Sequence, residues 1–207
     1  MTFPDSPDNG GPAQTESIAH NYPARDCPKP MGWTSENVGA DFDLKREDMD
    51  QFAARSFQKA EHAQKAGYFD REIVPFNAYK KNAAGVREKV VITTDDGIRY
   101  GTTEEGLSKI RSAFPQWGKA LTTGGNASQI TDGASAVLLM TRRKAEELGL
   151  KVLAKHISTA VTGVTPRIMG IGPVSAIRLL LKNTGISRDE VDLWEVGVLF
   201  ETIAIGR

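Results

Sequence analysis

The most informative part of this chain is residues 122–140, which read TTGGNASQITDGASAVLLM. A polar, glycine-rich segment leads directly into the continuous apolar segment Ala134–Met140. Small residues let the main chain come close to a ligand, and loops at the edge of a core commonly carry binding residues. A short continuous apolar run is typical of a strand that is buried on both faces. These residues therefore predict a ligand-binding loop followed by a buried strand.

Helices and strands are predicted to alternate downstream of this stretch. A short helix spans Arg142–Leu148, and a second helix begins at Pro173 and ends at Gly185. Val152–Thr162 predicts a strand, and Val191–Val196 predicts a further buried strand. The second helix carries one apolar stripe, which consists of Val174, Ile177, Leu180 and Leu181. This order predicts an α/β fold with a mainly parallel sheet.

The upstream half has a different pattern. Residues 1–30 contain six of the ten prolines and show no apolar periodicity, so we expect them to be disordered or extended. Residues 43–66 predict a helix, because apolar residues recur at steps of three and four. Core packing is favoured for that apolar face, with partner binding as the alternative. Glu72–Tyr79 and Lys89–Thr94 predict short strands, and Asp95–Gly97 predicts a turn.

The composition excludes several classes of function. The 207 residues suffice for one sizeable core, and 26 basic side chains balance 26 acidic ones, so binding to nucleic acid or to an anionic membrane is not expected. No apolar run approaches the ~18 residues of a membrane span. The single cysteine cannot form an internal disulfide, which suits a reducing compartment. No Cys/His cluster has metal-binding spacing, so no metal site is expected.

The segment at 122–140 resembles the GNAS-x-x-x-DGA segment of thiolases, the enzymes that make or cleave 3-ketoacyl-CoA thioesters. Four further stretches resemble thiolases, particularly the peroxisomal 3-ketoacyl-CoA type, and they follow the family order. These stretches are DCPKPMGWTSENV at 26–38, REDMDQFAARSFQKAEHAQKAG at 46–67, DDGIRYGTTEEGLSKIRSAF at 95–114 and PRIMGIGP at 166–173. Each stretch alone is weak, but five in register are specific.

The resemblance implies a partial thiolase fold, in which incomplete layered αβ sheet halves accompany a loop domain. Residues 1–30 then form a disordered segment, and residues 31–119 resemble the thiolase loop domain. Residues 120–150 resemble the end of the N-terminal half, and residues 151–207 resemble the truncated start of the C-terminal half. A partial sheet exposes edges and an uncovered apolar face, which invites aggregation or a partner.

The resemblance also implies residues that bind coenzyme A or an acyl-CoA as substrate, with no permanently bound cofactor. Arg99 matches the arginine that meets the nucleotide end, where a guanidinium can stack on a purine or bind phosphate. Ser128 matches the serine that meets the pantetheine arm. Met31, Phe114 and Met169 match apolar positions that line the pantetheine tunnel, where a thioether adapts to an irregular channel. If the family resemblance is set aside, Arg99 is interpreted as a solvated arginine and Ser128 as a turn residue. The three apolar residues are then interpreted as ordinary core.

No catalytic residue is expected in this chain. Thiolases use a nucleophilic cysteine that precedes the loop domain, a histidine that activates it and a second cysteine as acid/base. Cys27 matches a different, non-nucleophilic family position. Residues 197–200 read GVLF where the family has the oxyanion-hole asparagine of NEAF, and Arg207 stands where the catalytic histidine follows. The three histidines, His20, His62 and His156, match no catalytic position.

Three readings of function follow from these residues and stay open. The chain is a thiolase-type acyltransferase of fatty-acid metabolism that is inactive alone, a non-catalytic protein that binds CoA or a thiolase partner, or a non-functional remnant. A homodimer or a full-length thiolase is the partner that the resemblance implies. It also implies a peroxisomal location, with the cytoplasm as the alternative, although no targeting signal is readable.

Overall fold

The computed structural model describes residues 22–131 and 133–197, and these fall into two compact units. One unit comprises residues 35–128, and the other comprises residues 22–34, 129–131 and 133–197. The helices are α1 (Tyr22–Asp26), α2 (Met31–Asp41), α3 (Arg46–Lys65), α4 (Glu104–Ser108), α5 (Arg142–Glu147) and α6 (Gly172–Thr184). The strands are β1 (Phe76–Lys81) and β2 (Arg87–Ile92), and short 3₁₀ helices occupy Pro166–Ile171 and Arg188–Glu190.

The longest helix, α3, confirms the helix predicted for residues 43–66. It begins at Arg46 because Asp43 adopts a left-handed backbone conformation with φ of 49° and Lys45 is extended. It ends before Gly67, whose φ of 71° is left-handed and suits glycine. The apolar core of the unit at 35–128 lies on one face of α3. It consists of Val38, Leu44, Met49, Ala53, Ala54, Leu107 and Leu121.

A two-stranded antiparallel hairpin follows α3, with a register that runs from Phe76 opposite Ile92 to Lys81 opposite Arg87. The two predicted strands are confirmed in type, but their bounds are shifted by several residues. The turn predicted at Asp95–Gly97 is wrong, because those residues form no turn. The turn of the hairpin follows Asn82. The side-chain oxygen of Asn82 accepts the N–H groups of Ala84 and Val86, at 3.0 Å each.

Two further predicted helices are confirmed in the unit that contains residues 133–197. α5 begins after Thr141, whose side chain accepts the N–H of Lys144, and it is followed by Gly149 with φ of 64°. α6 ends at Gly185, whose φ of 72° makes the left-handed cap. Although α6 is amphipathic, it has no buried residue. Its apolar stripe is therefore not enclosed by the described part of the chain.

The three strands predicted at Ala134–Met140, Val152–Thr162 and Val191–Val196 are wrong for this structure. All three segments lack regular secondary structure and are mostly exposed, and Leu138 and Leu139 are each 78% exposed. A strand needs a hydrogen-bonded neighbour, and within the described residues the hairpin of β1 and β2 is the only sheet. The described residues therefore do not form the predicted parallel sheet.

The N-terminal prediction is corrected in part. Residues 22–26 form the short helix α1 rather than disordered or extended chain, and α1 packs against the 3₁₀ helix at Pro166–Ile171. Residues 1–21 lie outside the described part. Among the residues that are described, no helix is long and apolar enough to cross a membrane.

The Asp43 carboxylate joins the start of α3 to the later part of the same unit. The Lys119 ammonium lies 2.5 Å from one oxygen and the Lys45 ammonium lies 2.9 Å from the other. The hydrogen bonds from Lys119 and then Lys45 lower the pKa of Asp43 from 3.8 to about 2. Because a depressed pKa means that the unfolded chain binds the proton more readily, this contribution to stability is present above about pH 4 and lost toward pH 2.

We predict that Asp43→Asn reduces the acid dependence of stability between about pH 4 and pH 2. Asparagine tolerates the left-handed backbone, so the substitution removes the charge without adding strain. Urea unfolding at several pH values, at low salt, measures the difference, and high salt should shrink it because the pair is exposed. Identical pH profiles for the two proteins at low salt would contradict the prediction.

Candidate functional site

The glycine-rich loop, defined here as residues 121–128, has a buried base and an exposed end. Leu121, Thr122, Thr123 and Asn126 are buried, whereas Ser128 is exposed. The loop belongs to the same unit as residues 36–41 of α2 and as α3, and buried polar side chains of both helices hold it. A loop therefore lies where the sequence predicts one, and ligand binding by it stays a prediction. The contacts that hold the loop lie within one unit.

The first anchor of the loop is the carboxylate of Glu36 in α2, which is 0% exposed. Its two oxygens accept the backbone N–H groups of Leu121 at 3.1 Å and Thr122 at 2.9 Å. The hydroxyls of Ser35 and Thr122 lie 3.0 Å apart. A buried carboxyl oxygen without a donor is costly, so the two N–H groups that Glu36 accepts fix the start of the loop.

The second anchor is Asp50 in α3, which is 1% exposed. One of its oxygens accepts from Arg46 Nε at 2.7 Å, and the other accepts from Asn126 Nδ2 at 2.9 Å. Asn126 Nδ2 also donates to the carbonyl of Leu121 at 3.1 Å, and Asn126 Oδ1 accepts the N–H of Thr123 at 2.8 Å. The side chain of Asn126 therefore closes the loop on itself and ties it to a paired, buried charge.

Close packing explains one of the two adjacent glycines. A Cβ atom on Gly125 would lie 2.5 Å from Leu107 Cδ2 and 2.7 Å from Ile110 Cδ1, whereas a Cβ atom on Gly124 meets nothing within 4 Å. Arg46 holds this neighbouring backbone, since its Nη2 donates to the carbonyls of Leu107 at 2.8 Å and Ile110 at 3.0 Å. Gly125 is required by packing within the protein, and Gly124 faces open space.

Phe114 and Ser128 are both positioned by the loop. The N–H of Ala113 donates to the carbonyl of Thr122 at 2.8 Å, which ties the backbone next to Phe114 to the base of the loop. The Phe114 ring is half-buried and stacks on Trp117, with 4.9 Å between ring centroids. Ser128 ends the loop and is exposed. An apolar ring and a polar hydroxyl are thus presented from one local structure.

Arg99 is exposed and lies in a segment that α3 holds in place. Its Nη1 donates to the carbonyl of Asp96 at 3.1 Å. Beyond it, the hydroxyl of Tyr100 donates to Gln64 at 2.6 Å, and the N–H of Gly101 donates to Glu61 at 2.8 Å. Two side chains of α3 therefore fix the backbone that follows Arg99.

The pKa of Glu61 is lowered chiefly by Lys65 of α3 and further by Gly101 of this segment. The Lys65 ammonium, hydrogen-bonded at 2.5 Å, lowers this pKa below its ordinary value, and the backbone N–H of Gly101 adds to the effect. Lys65 also lies over the Tyr100 ring, 4.8 Å from its centroid. Glu61 stays ionised at neutral pH, so it accepts the N–H of Gly101 as a charged group.

The remaining predicted tunnel residues lie in the other unit. Met31 begins α2 and is half-buried, and Met169 lies in the 3₁₀ helix at Pro166–Ile171 and is 43% exposed. Three of the five predicted residues, Arg99, Phe114 and Ser128, therefore share one unit, and Met31 and Met169 share the other.

The thiol and the two imidazoles among the described residues have different surroundings. Cys27 is exposed, just after α1. The His62 ring faces Tyr68 with 6.1 Å between centroids, and His156 hydrogen-bonds the hydroxyl of Thr159 at 2.9 Å. In the part of the chain that the structure describes, no three His, Cys, Asp or Glu side chains form a group that could hold a metal ion. His20, Arg207 and residues 198–200 lie outside the described residues.

Comparison with known families gives a direct result. The chain matches the N-terminal domain of thiolase over residues 17–143 and the C-terminal domain of thiolase over residues 150–206. The chain belongs to the thiolase family. The predicted resemblance to this family is confirmed, and so is the fold class, a partial α/β thiolase fold.

Two relatives of the thiolase family are each about twice as long as this chain. The chain is 46% identical to the human peroxisomal 3-ketoacyl-CoA thiolase over 198 residues, which cover 95% of this chain and 46% of that protein. It is 43% identical to the peroxisomal 3-ketoacyl-CoA thiolase A of Candida tropicalis, covering 88% of this chain and 44% of that one. The chain thus spans about half the length of the relatives it matches.

Solved thiolase structures agree with this partial match. The dimeric peroxisomal thiolase of Saccharomyces cerevisiae superposes with a TM-score of 0.84 at 40% identity, covering 94% of this chain and 47% of that one. The acetyl-CoA acetyltransferase of Bacillus anthracis superposes with a TM-score of 0.77 at 37% identity, covering 85% of this chain and 43% of that one.

Glu36, Asp50 and Arg46 were missed by sequence reasoning. Each lies in a helix, where charged residues are usually solvated. Although Arg46 and Asp50 pair within α3, the partners that connect these residues to the loop and to the backbone at 107–110 are distant in sequence. One feature of the sequence does indicate that Asp50 is buried. It directly follows Met49 and lies three residues before Ala53, which places Asp50 itself on the apolar face of α3. A carboxylate on an apolar helix face indicates a buried partner.

We predict that Gly125→Ala destabilises the unit at 35–128 by about 1–3 kcal/mol, because the added methyl group overlaps Leu107 and Ile110. The matched control, Gly124→Ala, adds the same atom in open space and should change stability by less than about 0.5 kcal/mol. Urea denaturation of both variants, followed by fluorescence, measures the two effects. Equal effects of the two substitutions would count against the packing described here.

Proposed function

We propose that this chain binds the coenzyme A part of a 3-ketoacyl-CoA and contributes that binding region to thiolase-type acyl transfer. The proposal is carried by the glycine-rich loop, which two buried carboxylates hold rigidly with Ser128 exposed at its end. It is supported by the similarity of the chain to 3-ketoacyl-CoA thiolases. A preorganised loop binds a ligand without the cost of ordering itself first.

Arg99 is proposed to meet the nucleotide end of coenzyme A. Its guanidinium has five donors, and the hydrogen bond from Nη1 to the carbonyl of Asp96 uses one of them. The charge is permanent and the group is planar, so it can bind phosphate in a bidentate manner or stack on adenine. The tethering of Tyr100 and Gly101 to α3 limits the movement of the backbone that presents it.

Ser128 and the apolar residues are proposed to receive the pantetheine arm. A hydroxyl can donate to or accept from the amides of that arm. Phe114, whose ring is stacked on Trp117, supplies an apolar wall. Met31 and Met169 are proposed as further, thioether contacts on the family resemblance alone. No permanently bound cofactor is required by this proposal, because coenzyme A enters as part of the substrate.

The domain assignment and the cellular context are part of the same proposal. Residues 31–119 are assigned to a loop domain, 120–150 to the end of the N-terminal half and 151–207 to the start of the C-terminal half. The relatives are named as peroxisomal, which supports a peroxisomal location. The Saccharomyces cerevisiae relative is named as dimeric, which supports a dimeric partner arrangement.

The chemical step is proposed to depend on groups outside these 207 residues. Acyl transfer through a covalent thioester needs a thiolate with an adjacent base. The single thiol, Cys27, follows α1 in an exposed position, and His62 and His156 contact Tyr68 and Thr159. The chain alone is therefore proposed to bind acyl-CoA without cleaving it.

We predict that Arg99→Ala weakens coenzyme A binding by at least about tenfold, which is the loss of one good ionic contact. Isothermal titration calorimetry measures it, with Arg71→Ala as the control that removes another exposed arginine of the same unit. Titration with pantetheine, which lacks the nucleotide, should give equal affinities for the parent and Arg99→Ala. No binding by the parent, or equal binding of coenzyme A by Arg99→Ala, would remove the proposed role.

We predict that the purified chain forms no stoichiometric acyl adduct with labelled acetyl-CoA and shows no turnover of acetoacetyl-CoA. The reason is that Cys27, by resemblance, matches a family position other than that of the nucleophile, and acyl transfer through a covalent thioester needs the nucleophilic thiol. Intact mass spectrometry measures the adduct, and Cys27→Ala controls for adventitious acylation. An adduct of one acyl group per chain that Cys27→Ala abolishes would make this chain a catalyst by itself.

A further inference from the structure

One face of α3 carries the side chains that hold two segments of the proposed coenzyme A site. Asp50 and Glu61 lie eleven residues apart, which is about three helical turns, so the two side chains leave the helix in nearly the same direction. Arg46 lies about one turn before Asp50, and Gln64 lies about one turn after Glu61, on the same face. We name these four residues the anchor stripe.

The end of the anchor stripe near the C-terminus of α3 holds the segment that presents Arg99. Glu61 accepts the backbone N–H of Gly101 at 2.8 Å, and the side-chain amide of Gln64 donates to the carbonyl of Asp95 at 2.9 Å. The two contacts lie on either side of Arg99 in the sequence. The backbone that carries this guanidinium is therefore fixed to the helix both before and after it.

The other end of the anchor stripe holds the glycine-rich loop. Asp50 is 1% exposed, and its oxygens accept from Asn126 Nδ2 at 2.9 Å and from Arg46 Nε at 2.7 Å. Asn126 lies two residues before Ser128. Because a buried carboxylate is costly without its donors, the end of the loop that presents Ser128 is fixed to the same helix.

A single helix thus sets the distance between the two held segments, and all three belong to the unit at 35–128. Asp50 and Glu61 are about 16 Å apart along the axis of α3, at a rise of about 1.5 Å per residue. Coenzyme A is a long, flexible ligand in which a diphosphate joins the nucleotide to the pantetheine arm. A ligand with two linked halves gains affinity when both halves bind at once, and this gain depends on the spacing of their sites.

We infer that Asp50 and Glu61 are positioning residues that set the spacing at which the two halves of coenzyme A are bound. Glu61 acts through Arg99 on the nucleotide, and Asp50 acts through the glycine-rich loop on the pantetheine arm. The inference rests on the proposed function and deepens it, because it assigns one half of the ligand to each carboxylate. A role in stability alone would not divide the ligand in this way.

Double-mutant cycles with coenzyme A as the ligand test this division. Glu61→Ala removes an acceptor that holds the segment of Arg99, and Asp50→Asn removes the charge beneath the loop. Isothermal titration calorimetry measures both substitutions in the parent and in the Arg99→Ala background. We expect each to weaken binding by the parent at least about fivefold. In the Arg99→Ala background, Glu61→Ala should lose its effect and Asp50→Asn should keep its own, because only Glu61 acts through Arg99.

Asp48 supplies the matched control, because it is an exposed acidic residue on the opposite face of α3. Asp48→Ala and Asp48→Asn should leave coenzyme A binding unchanged in both backgrounds. Circular dichroism and thermal unfolding test whether each variant is folded. If Asp50→Asn is unfolded, Arg46→Lys replaces it, with the same additivity expected. An ammonium keeps the positive charge beside Asp50 but lacks the planar fork that also holds the backbone at 107–110.

The outcomes separate this inference from the proposed function. If Glu61→Ala weakens binding by the same factor in both backgrounds, or if the effect of Asp50→Asn disappears with Arg99→Ala, the inference is wrong and the proposed function stands. The same holds if the folded variants bind as well as the parent, or if the Asp48 substitutions weaken binding equally. A folded parent chain that binds no coenzyme A overturns both, since no ligand is then positioned.

Discussion

The carboxylates of Glu36 and Asp50 are buried beneath the glycine-rich loop, and the position of that loop depends on them. A buried carboxylate is costly unless its oxygens are hydrogen-bonded, and here each oxygen that is described accepts a donor. Glu36 takes two backbone N–H groups of the loop, and Asp50 takes Arg46 and Asn126. Moving the loop would remove both N–H donors from Glu36 and the Asn126 donor from Asp50, which would keep only Arg46. The cost of burying carboxyl oxygens without donors therefore holds the loop in one place.

The anchored loop lies in the unit with the larger enclosed apolar core. The unit at 35–128 combines an enclosed apolar core with a satisfied polar network, and Arg99, Phe114 and Ser128 lie within it. The other unit has regular helices but almost no enclosed apolar side chain.

The adjacent glycines of the loop illustrate how one residue type serves two purposes. Small residues predict close approach of the main chain to a ligand, but the close approach at Gly125 is to Leu107 and Ile110. Gly124 meets no neighbouring atom and is the glycine that leaves space. Composition indicated a loop with little side-chain bulk, and only the packing tells which glycine is structural.

Local signals in the sequence by themselves determined α3, α5 and α6, because periodic apolar residues and left-handed glycines act within a few residues of each other. The motifs determined the family in the same way. Only the tertiary structure shows that Ala134–Met140 is not a strand here. A strand forms beside a hydrogen-bonded partner strand, and an apolar run in the sequence does not reveal whether that partner is present. It also decided the anchoring of the loop, because Glu36 meets Thr122 across 86 residues of sequence and Asp50 meets Asn126 across 76. Contacts between such distant residues depend on the fold that brings them together, and no local pattern records them.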